Sequence, residues 1–195
     1  MIHLERGDLD YVPFYCEENV WRLLQRPELE QTRAWALLVS NAERRVLFMR
    51  QRSGRPVDGL VQWDYHVVAL IEGGAEGYLL FDLDSDLPFP CPLGAYLEAS
   101  FPSDVQSVRS PRFRVLGARD YVANLISDRS HMRRPDGSYL APPPGWAHPG
   151  AGRSAKNNLM EWANMGIKKP GSLMSLEALR SIALSARVPD RRLPL

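Results

Sequence analysis

The chain has 195 residues, 45% of them hydrophobic and 24% charged, which suits one well-filled globular core. A net charge of +1 gives no electrostatic grip on nucleic acid or on an anionic membrane surface. Two cysteines make no disulfide framework, and neither a long apolar run nor a charged start before an apolar leader is present. A single domain over 1–195, monomeric and in the reducing cytoplasm, is therefore the expectation.

Residues 1–13 read as an irregular lead-in ending at Pro13. Cys16 to Leu24 then predicts a helix, with Val20, Leu23 and Leu24 on one side. Ala34–Ser40 and Arg45–Gln51 are apolar runs of strand length, and the turn Asn41-Ala-Glu-Arg44 predicts that they pair as a hairpin. Val61–Ile71, rich in β-branched and aromatic residues, is the strongest strand signal. The turn at 72–77 follows, and Tyr78–Leu83 returns beside it. Pro88-Phe-Pro-Cys-Pro92 ends the sheet, because proline cannot donate to a central ladder. Leu93–Ser100 predicts a helix, Phe113–Leu116 a short strand and Ala118–Ile126 another helix. Residues 127–153, with Pro142-Pro-Pro144, form a loop long enough to suggest function. Ser175 is a candidate N-cap for a last helix over Leu176–Leu184, and the polar tail from Arg187 is expected to fray. The pattern is α+β, a mainly antiparallel sheet with helices against it.

The hairpin over 61–83 brings chemistry into view. Closed symmetrically about Gly74, it sets Leu70 opposite Tyr78, Val68 opposite Leu80 and His66 opposite Asp82. Opposed residues on one face have Cβ atoms roughly 4.5–5.5 Å apart, so a carboxylate comes within reach of an imidazole. Asp64 shares the His66 face by period-two alternation, while Trp63, Tyr65, Val67 and Ala69 share the other.

Cys16 opens a helix after Pro13-Phe-Tyr. The positive end of the macrodipole should lower the thiol pKa, and free N–H groups there can hold an oxyanion. A buried, inert apolar residue is the competing reading for any free cysteine. Cys91, wedged between prolines, reads as structural. The cysteines and histidines (His3, His66, His131, His148) show no metal-binding spacing, so no metal is expected. Cys16, His66 and Asp82 together supply nucleophile, base and orienter for acyl transfer at an amide. Their chain order resembles that of transglutaminase-like enzymes.

The words Trp63-Asp-Tyr-His-Val67, Tyr15-Cys-Glu-Glu-Asn19, Asp82-Leu-Asp84 with Leu87-Pro-Phe-Pro-Cys91, and Ser127-Asp-Arg-Ser-His-Met132 carry a resemblance. In that order they resemble the WDYHV family of protein N-terminal glutamine amidohydrolases. The resemblance implies an α-β-α sandwich related to transglutaminase-like and papain-like thiol enzymes. It places the family's nucleophile, histidine and aspartate on Cys16, His66 and Asp82. The implied reaction converts an N-terminal Gln of a protein or peptide to Glu with release of ammonia, without a cofactor. In the family the new Glu can feed a degradation signal. The implied partners are Gln-initiated proteins and peptides, with no nucleic acid and no membrane.

An N-terminal substrate carries an α-ammonium, which a carboxylate must pair if internal Gln is to be excluded. Glu18, Asp64 and Asp84 are the candidates by proximity to the triad in sequence. Tyr15, Trp63 and Tyr65 are candidates to line the glutamine pocket, and Ser130 and His131 sit on a loop that can close over it. A thiol peptidase or a transamidase acting on internal Gln, and a binding module that needs no thiol, are the alternatives.

Overall fold

The computed structural model describes residues 4–103 and 110–185. Ala34-Trp-Ala-Leu-Leu-Val-Ser40 is buried at every position, so both faces of its pleat need cover. That run is β1 (Ala34–Ser40), and it lies in the middle of the sheet. β4 (His66–Glu72) and β7 (Arg112–Gly117) flank it, so that Val39 faces His66 on one side and Phe113 on the other. Beyond β4 come β5 (Tyr78–Phe81) and β6 (Cys91–Pro92), and beyond β7 comes β8 (Ser172–Ser175). Every pairing in this six-stranded open sheet is antiparallel. The fold is α+β.

Helices cover both faces. On one, α1 (Cys16–Leu23) sets Val20 and Leu23 against Ala36, Leu38, Val67 and Ala69. α3 (Ala118–Asn124) and α4 (Leu159–Trp162) add Tyr121, Leu159 and Trp162 to that layer. On the other, α2 (Leu93–Ser100) and α5 (Leu176–Ser185) bring Tyr96, Leu97 and Leu179 against Leu37, Val68, Leu70 and Val115. The alternation along β1 and β4 thus separates two apolar layers. Ser175 caps α5, its Oγ accepting the Ala178 N–H at 3.2 Å. Among the described residues no helix is long and apolar enough to cross a membrane.

Three sequence expectations change. β1 does not pair with the following strand: β4 and β7 already occupy both its edges, and β2 (Val46–Phe48) pairs with β3 (Val61–Trp63) in a separate two-stranded sheet. The predicted strand Val61–Ile71 is broken at Asp64-Tyr65. There the Asp64 carbonyl accepts the Ser40 hydroxyl at 2.6 Å and the Asp64 carboxylate accepts the Tyr65 N–H at 2.9 Å. The proline-rich stretch does not simply end the sheet; Cys91–Pro92 forms its edge strand, where proline is tolerated. Cys91 faces Leu80 there and is buried, away from α1. The tail from Arg187 lies outside the described residues.

α4 and β8 were not predicted. One buried cation holds much of that region: the Arg114 guanidinium donates to the carbonyls of Trp162, Asn164, Ile167, Lys169 and Pro170.

Candidate active site

His66 is the first residue of β4 and Asp82 the first after β5, so both stand at one end of the sheet. The turn between the strands closes differently from the symmetric expectation. Gly74 and Gly77 take positive φ of 64° and 75°, and the Gly77 N–H donates to the Gly74 carbonyl. Leu70 consequently faces Leu80, not Tyr78, a slip of two residues. An even slip keeps every side chain on its own face. Asp82 therefore stays on the His66 side as a diagonal neighbour, and its Oδ1 lies 2.9 Å from His66 Nε2.

The rest of the Asp82 carboxylate is fully occupied. Oδ1 also accepts the Asp84 N–H at 3.0 Å, and Oδ2 accepts Gln51 Nε2 at 3.0 Å and Tyr96 Oη at 2.7 Å. Burial works to raise this carboxyl, but His66, Gln51 and Tyr96 outweigh it and hold it at about 2. The imidazole is fixed as firmly: Trp63 stacks on it with centroids 5.9 Å apart, and Phe48 meets it edge-on at 5.4 Å. Burial would lower the His66 pKa, yet Asp82 and Cys16 raise it well above the ordinary imidazole value. His66, Asp82 and Asp84 offer ligand atoms within 4.8 Å of one another, as a metal site would. In the structure the first two are already bonded to each other, and Asp82 has no oxygen without a donor.

Cys16 is the first residue of α1. With Nε2 of the imidazole turned to Asp82, Nδ1 is the ring nitrogen left for another partner, and Cys16 and His66 each shift the other's pKa. The fold thus sets Cys16 beside the hydrogen-bonded His66–Asp82 pair, with Cys16 and His66 on the wall of one cavity. The expected lowering of the thiol pKa does not occur. Burial pushes the thiol up to about 11, and the neighbouring His66 only partly opposes this. The Cys16 N–H makes no hydrogen bond among the described residues, so a donor is left at the helix start.

A cavity of about 380 Å³ opens beside the thiol, within the range of small-ligand sites. Trp63, Asp64, Tyr65 and Asp84 line it with Cys16 and His66, and Phe14, Met132 and Leu140 add an apolar rim. Phe14 is half exposed, meets Trp63 edge-on and holds φ at 69°, unusual for a residue with a side chain. Asp64 is on the wall but pairs with Arg44 at 3.0 Å and is half exposed. Tyr15 and Glu18 are not on the wall. Tyr15 is buried and donates to the Ala141 carbonyl at 2.9 Å. Glu18 is buried too, gripped by Arg129 at 2.7 and 2.8 Å and by Trp146 Nε1 at 2.9 Å.

Gln51 and Glu17 were not singled out by the sequence, whereas His131 and Ser130 were. Gln51 joins the site by bridging Trp63 Nε1 and Asp82. Behind the thiol, the fully buried Glu17 carboxylate lies 3.9 Å from Cys16 Sγ and accepts from Tyr65 Oη and Ser127 Oγ, both at 3.2 Å. Burial raises its pKa to about 7. His131 Nε2 sits 3.2 Å from Tyr65 Oη and 3.6 Å from Glu17, and its ring lines the cavity. Ser130 lies on the same turn but off the wall, bonded to Asp128 and Asn157.

A family model described as N-terminal glutamine amidase matches residues 11–183. A Drosophila melanogaster protein named Protein N-terminal glutamine amidohydrolase is 42% identical over 179 residues, covering 87% of this chain and 86% of its own. The protein of that name in Drosophila grimshawi is 41% identical over 192 residues, covering 93% and 92%. The one in Drosophila ananassae is 44% identical over 148 residues, covering 72% and 71%. The matched span runs through all the site elements from α1 to the first turns of α5, and the chain belongs to the N-terminal glutamine amidase family.

Proposed function

We propose that this protein hydrolyses the side-chain amide of an N-terminal glutamine in proteins or peptides, giving glutamate and ammonia through a Cys16 thioester. The observation that carries the chemistry is Cys16 at the start of α1 beside the hydrogen-bonded His66–Asp82 pair, with the thiol and imidazole both on the wall of a cavity. The substrate follows from family membership and from the names of the relatives.

His66 Nδ1 takes the thiol proton as sulfur attacks the amide carbon. The imidazolium formed is stabilised by Asp82, which keeps its own negative charge. The developing oxyanion meets the Cys16 N–H at the start of α1. Collapse breaks the carbon–nitrogen bond, His66 returns its proton to nitrogen, and ammonia leaves. Water, deprotonated by the same imidazole, attacks the thioester and restores the thiol with a glutamate product. Burial favours the neutral thiol and imidazole while Asp82 favours the imidazolium beside a thiolate, so the one proton between sulfur and ring passes to His66 as the attack proceeds. Trp63, Asp64, Tyr65 and Asp84 surround the glutamine in this reading.

The sheet end bearing a thiol on a helix and His and Asp on adjacent strands supports kinship with transglutaminase-like and papain-like enzymes. Two free thiols accord with a reducing cytoplasm, and we take the enzyme to be a single-domain monomer. Mass spectrometry of a Gln-initiated peptide tests the reaction, because exchanging NH₂ for OH raises the mass. Peptides left unchanged by folded protein with intact Cys16 would overturn it. An internal Gln or an amine acceptor reacting faster than N-terminal Gln would make the protein a transamidase or deamidase instead.

A further inference from the structure

An enzyme confined to N-terminal glutamine must sense the α-ammonium, and covalent geometry limits where. That nitrogen lies four bonds from the carbon attacked, hence no more than about 5 Å away at about 1.5 Å per bond. Its counter-charge must stand close to the thiol and the imidazole, on the cavity wall, and without another cation. The three carboxylates nearest the triad in sequence divide on those requirements. Glu18 is off the wall and gripped on both oxygens by Arg129. Asp64 is on the wall but already paired with Arg44 and half in solvent, where an added ion pair contributes little.

Asp84 meets them all. It lines the cavity, only 7% of its surface is exposed, and it offers an oxygen within 4.8 Å of ligand atoms of His66 and Asp82. Its one side-chain hydrogen-bond partner among the described residues is neutral, the Tyr11 hydroxyl at 2.7 Å. It forms no ion pair among the described residues. The nearby guanidiniums of Arg6 and Arg52 spend hydrogen bonds on backbone carbonyls of Leu87 and Leu83. Burying a carboxylate without a cation is costly unless something else supplies the charge.

We propose that Asp84 is the specificity-determining residue of this site, pairing the α-ammonium of the substrate's first residue. The inference rests on the amidase reading above. An internal or acylated glutamine has no cation to offer and leaves Asp84 buried and unpaired, which penalises it. The pair also fixes the first residue at a second point, so that the side-chain amide meets the thiol in one orientation.

The test compares the intact protein with Asp84→Asn and Asp64→Asn on three peptides of one sequence. They begin with Gln, with N-acetyl-Gln, or with the same five-carbon amide lacking the α-amine. Ammonia release gives kcat and KM, and iodoacetamide alkylation of Cys16 reports the triad separately. The unaltered protein should prefer the free amine by roughly 10²-fold or more. D84N should lose that preference mainly through KM, a loss on the free-amine peptide well beyond any change it shows on the amine-free peptide or in alkylation. D64N should keep the preference. D84N that retains the preference overturns the proposal. D84N that slows all three peptides and the alkylation alike makes Asp84 a support of His66 and overturns it too. Should D84N not fold, Tyr11→Phe decides: the preference survives if the Asp84 charge carries it and collapses if the hydroxyl does. No ammonia from any Gln-initiated peptide with the unaltered protein would sink the amidase reading itself, whereas activity with an unaltered D84N preference sinks only this one.

Discussion

Nε2 of His66 lies 2.9 Å from Oδ1 of Asp82, although the two residues are diagonal and not opposed across the β4–β5 hairpin. Continuing the ladder would set Asp84, not Asp82, opposite the imidazole. Asp82 instead stands just past the end of β5, where its carboxylate can gather donors from a helix, a loop and a strand at once. That holds a proton on Nε2 and leaves Nδ1 free of Asp82, the arrangement the proposed general base needs.

Asp82→Asn should therefore damage turnover far more than binding. An amide can present N–H to Nε2 and force the wrong tautomer, so kcat should fall by about 10⁴-fold with little change in KM. Cys16→Ala should abolish ammonia release while the melting temperature stays close to that of the unaltered protein. Steady-state kinetics beside a thermal melt checks both, and appreciable turnover by C16A would remove the thioester from the mechanism.

Tyr96→Phe deletes one donor to the Asp82 carboxylate and should destabilise the fold by about 1.5–3 kcal/mol. The sign with pH follows from a folded pKa of about 2, below the unfolded value of about 3.9. Stability from this group is present above the unfolded pKa and lost as pH falls through the folded one. With a donor gone the folded pKa rises, so Y96F should unfold at a higher pH during acid titration. Equal acid midpoints for the two proteins would contradict this.

Glu17 works in the opposite direction. Burial raises its pKa to about 7, while an unfolded Glu titrates near about 4.3. Between those values the folded protein keeps a proton that the unfolded chain has released, so stability falls as pH rises through the window. Glu17→Gln removes the titration. Its melting temperature should change less from about pH 5 to 7 and exceed that of the unaltered protein at pH 8. Parallel melting curves across that range would show that Glu17 does not ionise there.

Arg129→Met leaves the Glu18 carboxylate buried with Trp146 as its remaining donor among the described residues. Breaking such a pair costs about 3–5 kcal/mol. It should also loosen the turn that places His131 on the cavity wall, since Arg129 holds φ at 62° and ties the carbonyls of Pro144 and Trp146. Chemical denaturation should show the stability loss, and KM for a Gln-initiated peptide should rise. Arg129→Lys should recover only part of it, because a single ammonium cannot reproduce the two-pronged contact.

Part of the fold and of the candidate site is legible in the sequence alone. α1 and α2 begin where the periodicity placed them, at Cys16 and Leu93, because their apolar positions and flanking prolines are local signals. The His66–Asp82 contact was expected for a partly wrong reason. The glycine-rich turn closes with a register two residues away from symmetric, and the contact survives because the slip is even. The β1–β2 hairpin failed because competition for the edges of β1 is decided by strands far along the chain.

The sequence by itself determined most of the strands and helices and their apolar faces, and it marked one thiol, one imidazole and one carboxylate as candidates to act together by type and order. Tertiary structure alone decided how those groups are held and what surrounds them. Gln51 and Tyr96 meet Asp82 from different elements, and Arg129 reaches Glu18 across a separation of 111 residues. It also reversed the expectation for the thiol, whose burial outweighs the helix start. The physical reason is range. Side-chain periodicity and turn chemistry act over a few residues and are written locally. Desolvation, ion pairing and the choice of buried hydrogen-bond partners depend on what the folded chain brings within a few ångströms.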